Sequence, residues 1–262
     1  MIEIQNLTKV YKLNKKQMEE NKTKNPQKIA VNNLSLTANT GEIYGILGPN
    51  GAGKTTTLRC LATLIKPTDG KIYVGGHEVQ EDSAAVRKSI GFLTTDIKLD
   101  PQFSVDYLFD FFGHLHGILG EELKARKEEL FAYFEIKDFA HKKIKELSTG
   151  MKQKAAIAVS LVHNPDIIVF DEPTNGLDII TARNVTDYLK KLKKDGKLVL
   201  LSTHIMAEAE KLCDRIAIVI GGSKVAEGTL KELLTETNTM NLEDAFFEYY
   251  KEQQGGMTDE RD

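Results

Sequence analysis

The sequence predicts an α/β fold organised on a mostly parallel sheet, and three observations carry that expectation. Short apolar runs alternate with helical stretches from Pro165 onward. The run Ile43, Tyr44, Ile46, Leu47 leads into a glycine-rich turn and then into a helix-forming segment. A second apolar run, Ile167 to Phe170, ends on two adjacent carboxylates, Asp171 and Glu172. Apolar strands followed by helices are the pattern of a parallel sheet covered on both faces.

Taken in order, Ile2 to Val10 sets Ile2 and Ile4 between polar neighbours, the alternation of a half-buried strand. Lys12 to Lys28 is polar and lysine-rich, with Lys12, Lys15, Lys16, Lys22, Lys24 and Lys28 against Glu19 and Glu20. It reads as a solvated loop or hairpin extension, with contact to anionic lipid headgroups or a partner as the alternative. Ala30 to Leu36 resumes as a strand, and Lys71 to Val79 reads as two short strands joined by Gly75-Gly76. Between Thr95 and Leu147 the texture turns helical, a predicted insert of about fifty residues. Val105, Leu108, Phe109, Phe112 and Leu115 recur at helical spacing within Val105 to Ile118, and Glu121 to Phe134 repeats the pattern with charged outer positions. The Phe-rich helix is either a buried helix of the insert or a docking face for a partner. His114 and His116 are two apart and share no helix face, which argues against a metal site.

Past Pro165 the pattern predicts strands at Ile167–Phe170, Leu198–Leu201 and Ile216–Ile220, with helices at Thr181–Lys194 and Ala207–Leu212. Gly221-Gly222 turns the chain into a short partner strand near Lys224–Glu227. Asn241 to Lys251 is amphipathic, with Phe246, Phe247 and Tyr250, and is expected to cap the domain ahead of a loose tail, Gln253 to Asp262. The sequence carries no internal repeat.

A chain of 262 residues accommodates one large α/β domain or two small ones. Its net charge of -3 offers no global electrostatic case for nucleic acid. Cys60 and Cys213 lie far apart inside apolar patterns, which suits a reducing compartment and not a metal site. The opening MIEIQNLTKVYK lacks the apolar core of a signal peptide, and no apolar run approaches the ~18 residues of a spanning helix. The expectation is a soluble, cytosolic chain unless something else holds it at a membrane.

Three segments carry chemistry. Gly48 to Thr55, GPNGAGKT, fits the phosphate-loop pattern GxxxxGK[ST] between a strand and a helix. Gly48, Gly51 and Gly53 let the backbone turn tightly, with Pro49, Asn50 and Ala52 between them, so that N–H groups converge on a phosphate chain. The positive end of the helix beginning near Lys54 and running on through Thr56 adds to that cradle. Lys54 is placed to reach the β- and γ-phosphates and the Thr55 hydroxyl to sit on Mg²⁺. Asp171, at a strand's carboxyl end, can bind Mg²⁺ through water, and Glu172 can orient and deprotonate the attacking water. The third segment runs from Leu147 to Lys154. Ser148 is a good N-cap for a helix extending to His163 and stopped by Asn164-Pro165. It is either an ordinary capped helix or a helix N-terminus that aims Ser148 and Gly150 at phosphate.

These segments, in this order, resemble those of ATP-binding-cassette (ABC) ATPases over nearly the whole chain up to the tail. The resemblance implies a P-loop NTPase fold with a mostly parallel core sheet, an antiparallel β subdomain and a helical insert. It places the ATPase domain at 1–240, the insert at about 95–150, and a C-terminal helix and loose tail at 241–262. Asp178 in Asn175-Gly176-Leu177-Asp178 matches the family's dimer-contact aspartate, His204 its γ-phosphate switch histidine, and Tyr11 the aromatic that stacks on adenine. The family's LSGGQ signature reads LSTGM here, with Ser148 and Gly150 retained and Thr149 and Met151 substituted. A glutamine that in the family touches Mg²⁺ and reports nucleotide state to the membrane partner is replaced by Thr95, followed by Asp96 as a candidate substitute.

The resemblance further implies two cassettes, a homodimer, closing head to tail around two ATP with Mg²⁺, so that Lys54 and Ser148 act on one nucleotide only across an interface. A separate transmembrane permease subunit is the implied partner, with the chain peripheral on the cytoplasmic face of the cell membrane and no nucleic acid bound. The alternatives are a soluble ABC ATPase acting on ribosomes or nucleic acid, and an importer ATPase. The first is disfavoured because such chains carry two cassettes, a long coiled coil or zinc-binding cysteines, none of which is seen. Thr-His-Ile-Met-Ala-Glu-Ala-Glu, the LSTGMK signature and the short insert resemble the branch serving drug, polysaccharide and sodium exporters, sodium exporters most of all.

Overall fold

In the computed structural model, which describes residues 1–20, 23–94 and 99–255, the strands form two sheets. One is antiparallel: β1 (Ile2–Lys12) lies between β2 (Gln27–Ala38) and β4 (Asp69–Val74), with β5 (His77–Glu78) at its edge. The other has six strands. β9 (Arg215–Ile220), β3 (Ile43–Leu47), β8 (Leu198–Thr203), β7 (Ile167–Asp171) and β6 (Ile90–Leu93) run parallel in that spatial order. β10 (Ser223–Gly228) closes one edge antiparallel to β9.

Side-chain alternation divides the core. Tyr44, Ile46, Ile167, Val169, Leu198, Leu200, Ala217 and Val219 face the antiparallel sheet and α2 (Lys54–Leu61), in one cluster with Ile2, Leu34, Leu58 and Ile72. The alternate residues Ile43, Ile168, Phe170, Val199 and Leu201 face the opposite way. There they meet α4 (Val105–Leu115), α5 (Gly120–Tyr133), α6 (Thr149–Ser160) and α7 (Ile179–Lys194). A third cluster joins Leu47, Ile216, Ile218 and Ile220 to α8 (Met206–Leu212), α9 (Leu230–Thr237) and α10 (Leu242–Gly255). Strands buried on both faces explain why the core runs read as continuous apolar segments.

Within Lys12–Lys28 the chain forms the end of β1, a six-residue α1 (Lys15–Glu20) without a buried residue, and the start of β2. Reciprocal Asn14 and Gln17 hydrogen bonds at 2.9 Å each cap α1, and the described part of the segment forms a hairpin extension; Lys22 lies outside the described residues. The Phe-rich α4 buries Val105, Leu108, Phe109 and Gly113, while Tyr107, Phe111 and Leu115 on its other side are exposed.

Two helix ends and two additional helices differ from the sequence expectation. α6 stops at Ser160 rather than His163, because Leu161 to His163 turn to pack His163 against His116, ring centroids 3.8 Å apart. α10 continues to Gly255, beyond the expected start of a loose tail at Gln253; residues 256–262 lie outside the described set. α3 (Ser83–Ser89) and α9 were not anticipated. α3 buries one residue, Val86, too few to show a period, while α9 announces itself by a Thr229–Glu232 capping box. Among the described residues no helix is long and apolar enough to cross a membrane.

Candidate active site

Parallel register brings together segments far apart in sequence. Leu47 of β3 lies opposite Thr203 of β8, and Asp171 of β7 opposite Ser202, so three strands end at one level. The loops leaving their carboxyl ends carry Gly48–Thr55, Glu172 and His204, and this is where open α/β sheets place ligands.

The first loop is shaped by its glycines. A Cβ at Gly48 would lie 2.2 Å from Val219 O. Gly53 has φ +100°, and a Cβ there would lie 2.4 Å from Ala30 O, so backbone contact and left-handed geometry both require glycine. Ala52 is buried, its N–H bonded to Pro49 O at 3.2 Å, which closes the turn. Lys54 is 5% exposed and donates to Gly48 O at 2.8 Å and Pro49 O at 3.1 Å. Its Nζ is 3.7 Å from Glu172 Oε1. Burial pushes the Lys54 ammonium below its ordinary pKa, and Glu172 and Asp171 oppose that shift.

The Thr55 hydroxyl donates to Asp171 Oδ2 at 2.7 Å, and the Ser202 hydroxyl donates to Oδ1. A hydroxyl and a carboxylate 3% exposed, side by side at the loop's end, offer the oxygen donors that suit a hard divalent cation such as Mg²⁺. Glu172 follows in a left-handed conformation, φ 49°, uncommon for a residue other than glycine, with its N–H bonded to Ser202 O at 3.0 Å. His204 Nδ1 lies 2.9 Å from Glu172 Oε1, and Asn175 Nδ2 donates to Oε2 at 2.8 Å. Glu172 is thus held among an ammonium, an imidazole and an amide.

A cavity of about 380 Å³ opens in front of these groups, and Tyr11, Lys28, Asn50, Lys54, Thr56 and Glu172 are among its lining residues. Gly51, Gly53 and Thr55 also line it, whereas Gly48, Pro49 and Ala52 hold the loop's shape from behind. Tyr11, at the end of β1, pairs in register with Lys28. Sequence reasoning did not single out Asn175, Gln17 or Lys28 as site residues; Gln17 and Lys28 line the cavity from the polar segment that follows Tyr11.

Ser148, Gly150 and Asp178 do not line this cavity. They form a group of their own. Ser148 Oγ caps α6 by accepting from Met151 N at 3.3 Å. Asp178 caps α7, accepting from Ile180 N and Thr181 N at 3.0 Å each and from Thr181 Oγ1 at 2.7 Å. A Cβ at Gly150 would lie 3.2 Å from Thr181 Oγ1 and 3.6 Å from Asp178 Oδ2, so the two helix starts abut. Thr95, with Asp96, lies outside the described residues.

Comparison with known proteins gives a family model described as ABC transporter, matching residues 31–175. The ABC transporter ATP-binding protein NatA of Bacillus subtilis (strain 168) is 40% identical over 214 residues, 81% of this chain and 87% of that protein. The daunorubicin resistance ATP-binding protein DrrA3 of Streptomyces coeruleorubidus is 40% identical over 210 residues, 80% of this chain and 66% of that protein. A dimeric ATP-binding cassette solved in a post-hydrolysis state with ADP and Pi superposes with a TM-score of 0.77 at 31% identity. That match covers 88% of this chain and 99% of the cassette.

Proposed function

The chain belongs to the ABC transporter ATP-binding family, and from that footing we propose that it is the ATP-hydrolysing subunit of a membrane exporter, working as a dimer against a separate transmembrane subunit. It is an ATPase of the ABC type. The observation that most supports its active-site assignment is that Thr55 meets Asp171, and Lys54 and His204 meet Glu172, beside a cavity lined by Lys54, Thr55 and Glu172.

In this proposal the Gly48–Thr55 backbone and Lys54 bind the phosphate chain, and Tyr11 stacks on adenine at the other end of the cavity. Thr55 and Asp171 would hold Mg²⁺, which would supply charge neutralisation at the phosphate chain. Glu172 takes a proton from the attacking water at its carboxylate, and His204 contacts the γ-phosphate from beside it. Asn175 and Lys54 restrict where the Glu172 carboxylate points. Ser148, Gly150 and Asp178, which do not line their own chain's cavity, act at the partner's, so the γ-phosphate holds the two copies together and its loss releases them.

Export is favoured by likeness to the Nod factor export ATP-binding protein I of Burkholderia lata, 40% identical over 207 residues. Sodium is a specific candidate substrate on the residues shared with sodium-exporting ATPases, and the membrane chain selects the cargo. The dimer is expected at the cytoplasmic face of the cell membrane. Two measurements test the proposal. Glu172→Gln should lower ATP turnover about 10²–10⁴-fold while nucleotide binding persists; wild-type turnover would remove Glu172 from the base role. Purification of the tagged chain from detergent-solubilised membranes should recover a stoichiometric polytopic protein, and recovery free of any membrane chain would overturn the transporter assignment.

A further inference from the structure

Two hydroxyls converge on the Glu208 carboxylate, one from the loop that carries Glu172 and one from the last residue of β8, just before His204. Thr174 Oγ1 donates to Glu208 Oε1 at 2.6 Å, and Thr203 Oγ1 donates to Oε2 at 2.6 Å. Thr174 lies two residues past Glu172, and Thr203 lies one before His204. Thr203 Oγ1 also accepts from Ile205 N at 3.0 Å, so its single proton is committed to Glu208. Hydrogen bonds to an ionised acceptor are short and roughly twice as strong as neutral ones, which suits a carboxylate to fastening the two segments.

The sheet holds only one of the two: Thr203 ends β8 and pairs with Leu47 of β3, whereas Thr174 lies past the end of β7. Backbone pairing between β7 and β8 ends at Asp171–Ser202, with one further bond from Glu172 N to Ser202 O. Beyond that point the chain leaves β7 through a left-handed Glu172, while His204 begins the turn into α8. Glu208 sits on α8, which follows the His204 turn, and does not line the nucleotide cavity.

We propose that Glu208 is a positioning residue for hydrolysis: its carboxylate ties the loop of Glu172 to the end of β8 just before His204 and thereby sets the 2.9 Å contact between the Glu172 and His204 side chains. This rests on the assignment of Glu172 as base and His204 as γ-phosphate contact. Because Glu208 is outside the cavity, its loss acts on turnover and leaves nucleotide binding alone.

The test uses the full chain, with single-turnover ATP hydrolysis and equilibrium binding of ATP measured side by side. Glu208→Ala should lower the hydrolysis rate about 10- to 100-fold, the scale of a misplaced catalytic group, with the ATP Kd within about twofold of wild type. Glu208→Gln should recover most of the rate: its amide oxygen accepts from Thr203, and the Thr174 hydroxyl can turn to accept from its N–H. In a His204→Ala background, Glu208→Ala should cost less than about a further twofold, since the contact it sets is already gone. Thr174→Val removes one of the two bonds and should cost about three- to tenfold in rate, so it carries the test if Glu208→Ala does not fold. Wild-type turnover in Glu208→Ala, a parallel loss of ATP affinity, or an undiminished effect in the His204→Ala background overturns the proposal. Glu172→Gln, run alongside, separates the failures. Full activity there overturns the base assignment and the tie with it, whereas an inactive Glu172→Gln beside an unimpaired Glu208→Ala overturns the tie alone.

Discussion

Gly53 shows how a single residue sets the cavity. Its φ of +100° and the 2.4 Å approach of a Cβ to Ala30 O leave no room for a side chain. Ala30 belongs to β2 of the antiparallel sheet, so the same contact fixes how that sheet meets the phosphate loop. Gly53→Ala is expected to cost at least about 1–3 kcal/mol from backbone strain alone and to weaken ATP binding. Denaturant unfolding and nucleotide titration check both, and an unchanged midpoint would show that the loop relaxes freely. Lys54 illustrates the opposite limit, in that its motif spacing alone identified it. What spacing did not reveal is that its ammonium is already engaged by two carbonyls and faces Glu172. Asn175 escaped notice because an asparagine in a turn has many ordinary uses, and its contact with Glu172 depends on a left-handed residue that no pattern announces.

At the scale of elements, the end of α6 couples the helical insert to the sheet. His163 Nε2 is 3.0 Å from Ile90 O, its buried Nδ1 makes no hydrogen bond, and its ring stacks on His116 of the insert. Burial pushes the His163 pKa from its ordinary 6.5 down to about 4, helped by His116, Arg126 and Lys197. The Ile90 carbonyl acts in the opposite direction. Burial lowers the His116 pKa as well. The unfolded chain titrates at the ordinary value, so between pH 6.5 and about 4 it binds more protons than the folded one. Folding stability should therefore fall as pH drops through that window. His163→Gln should flatten the fall, read from urea midpoints across the window; an unchanged slope would assign it to other groups. Helix periodicity made α4 to α7 legible, but it overran α6 by three residues because the apolar pattern continues while the backbone turns.

At the scale of the whole molecule, Ser148, Gly150 and Asp178 do not line the cavity of their own chain, which agrees with the proposed head-to-tail dimer. In a head-to-tail dimer, mixing Lys54→Ala chains with Ser148→Arg chains should restore turnover that neither has alone. Half of the dimers are then mixed, each with one intact site of two, so recovery approaches about a quarter of wild type. No recovery on mixing would argue that each chain completes its own site. The same scale governs the cysteines. Burial pushes Cys60 up to about 11 and raises Cys213 further, so neither thiol is poised for chemistry at neutral pH.

Short-range spacing was enough to identify the α/β alternation, the phosphate loop, the Asp171-Glu172 strand end and the helical texture of the insert. Those features depend on residues within one turn or one strand of each other. Tertiary structure alone decided that Asp171 receives both the Thr55 and Ser202 hydroxyls, that Glu172 meets His204, and that Glu208 reaches Thr174 and Thr203. The Asp171–Ser202 and Glu172–His204 contacts join the ends of β7 and β8, and Thr55 of α2 and Thr174 past β7 are brought in from other segments, so these meetings depend on sheet order and register. Local pattern specifies neither, because identical apolar runs fit any neighbour in a parallel sheet until the whole core has packed.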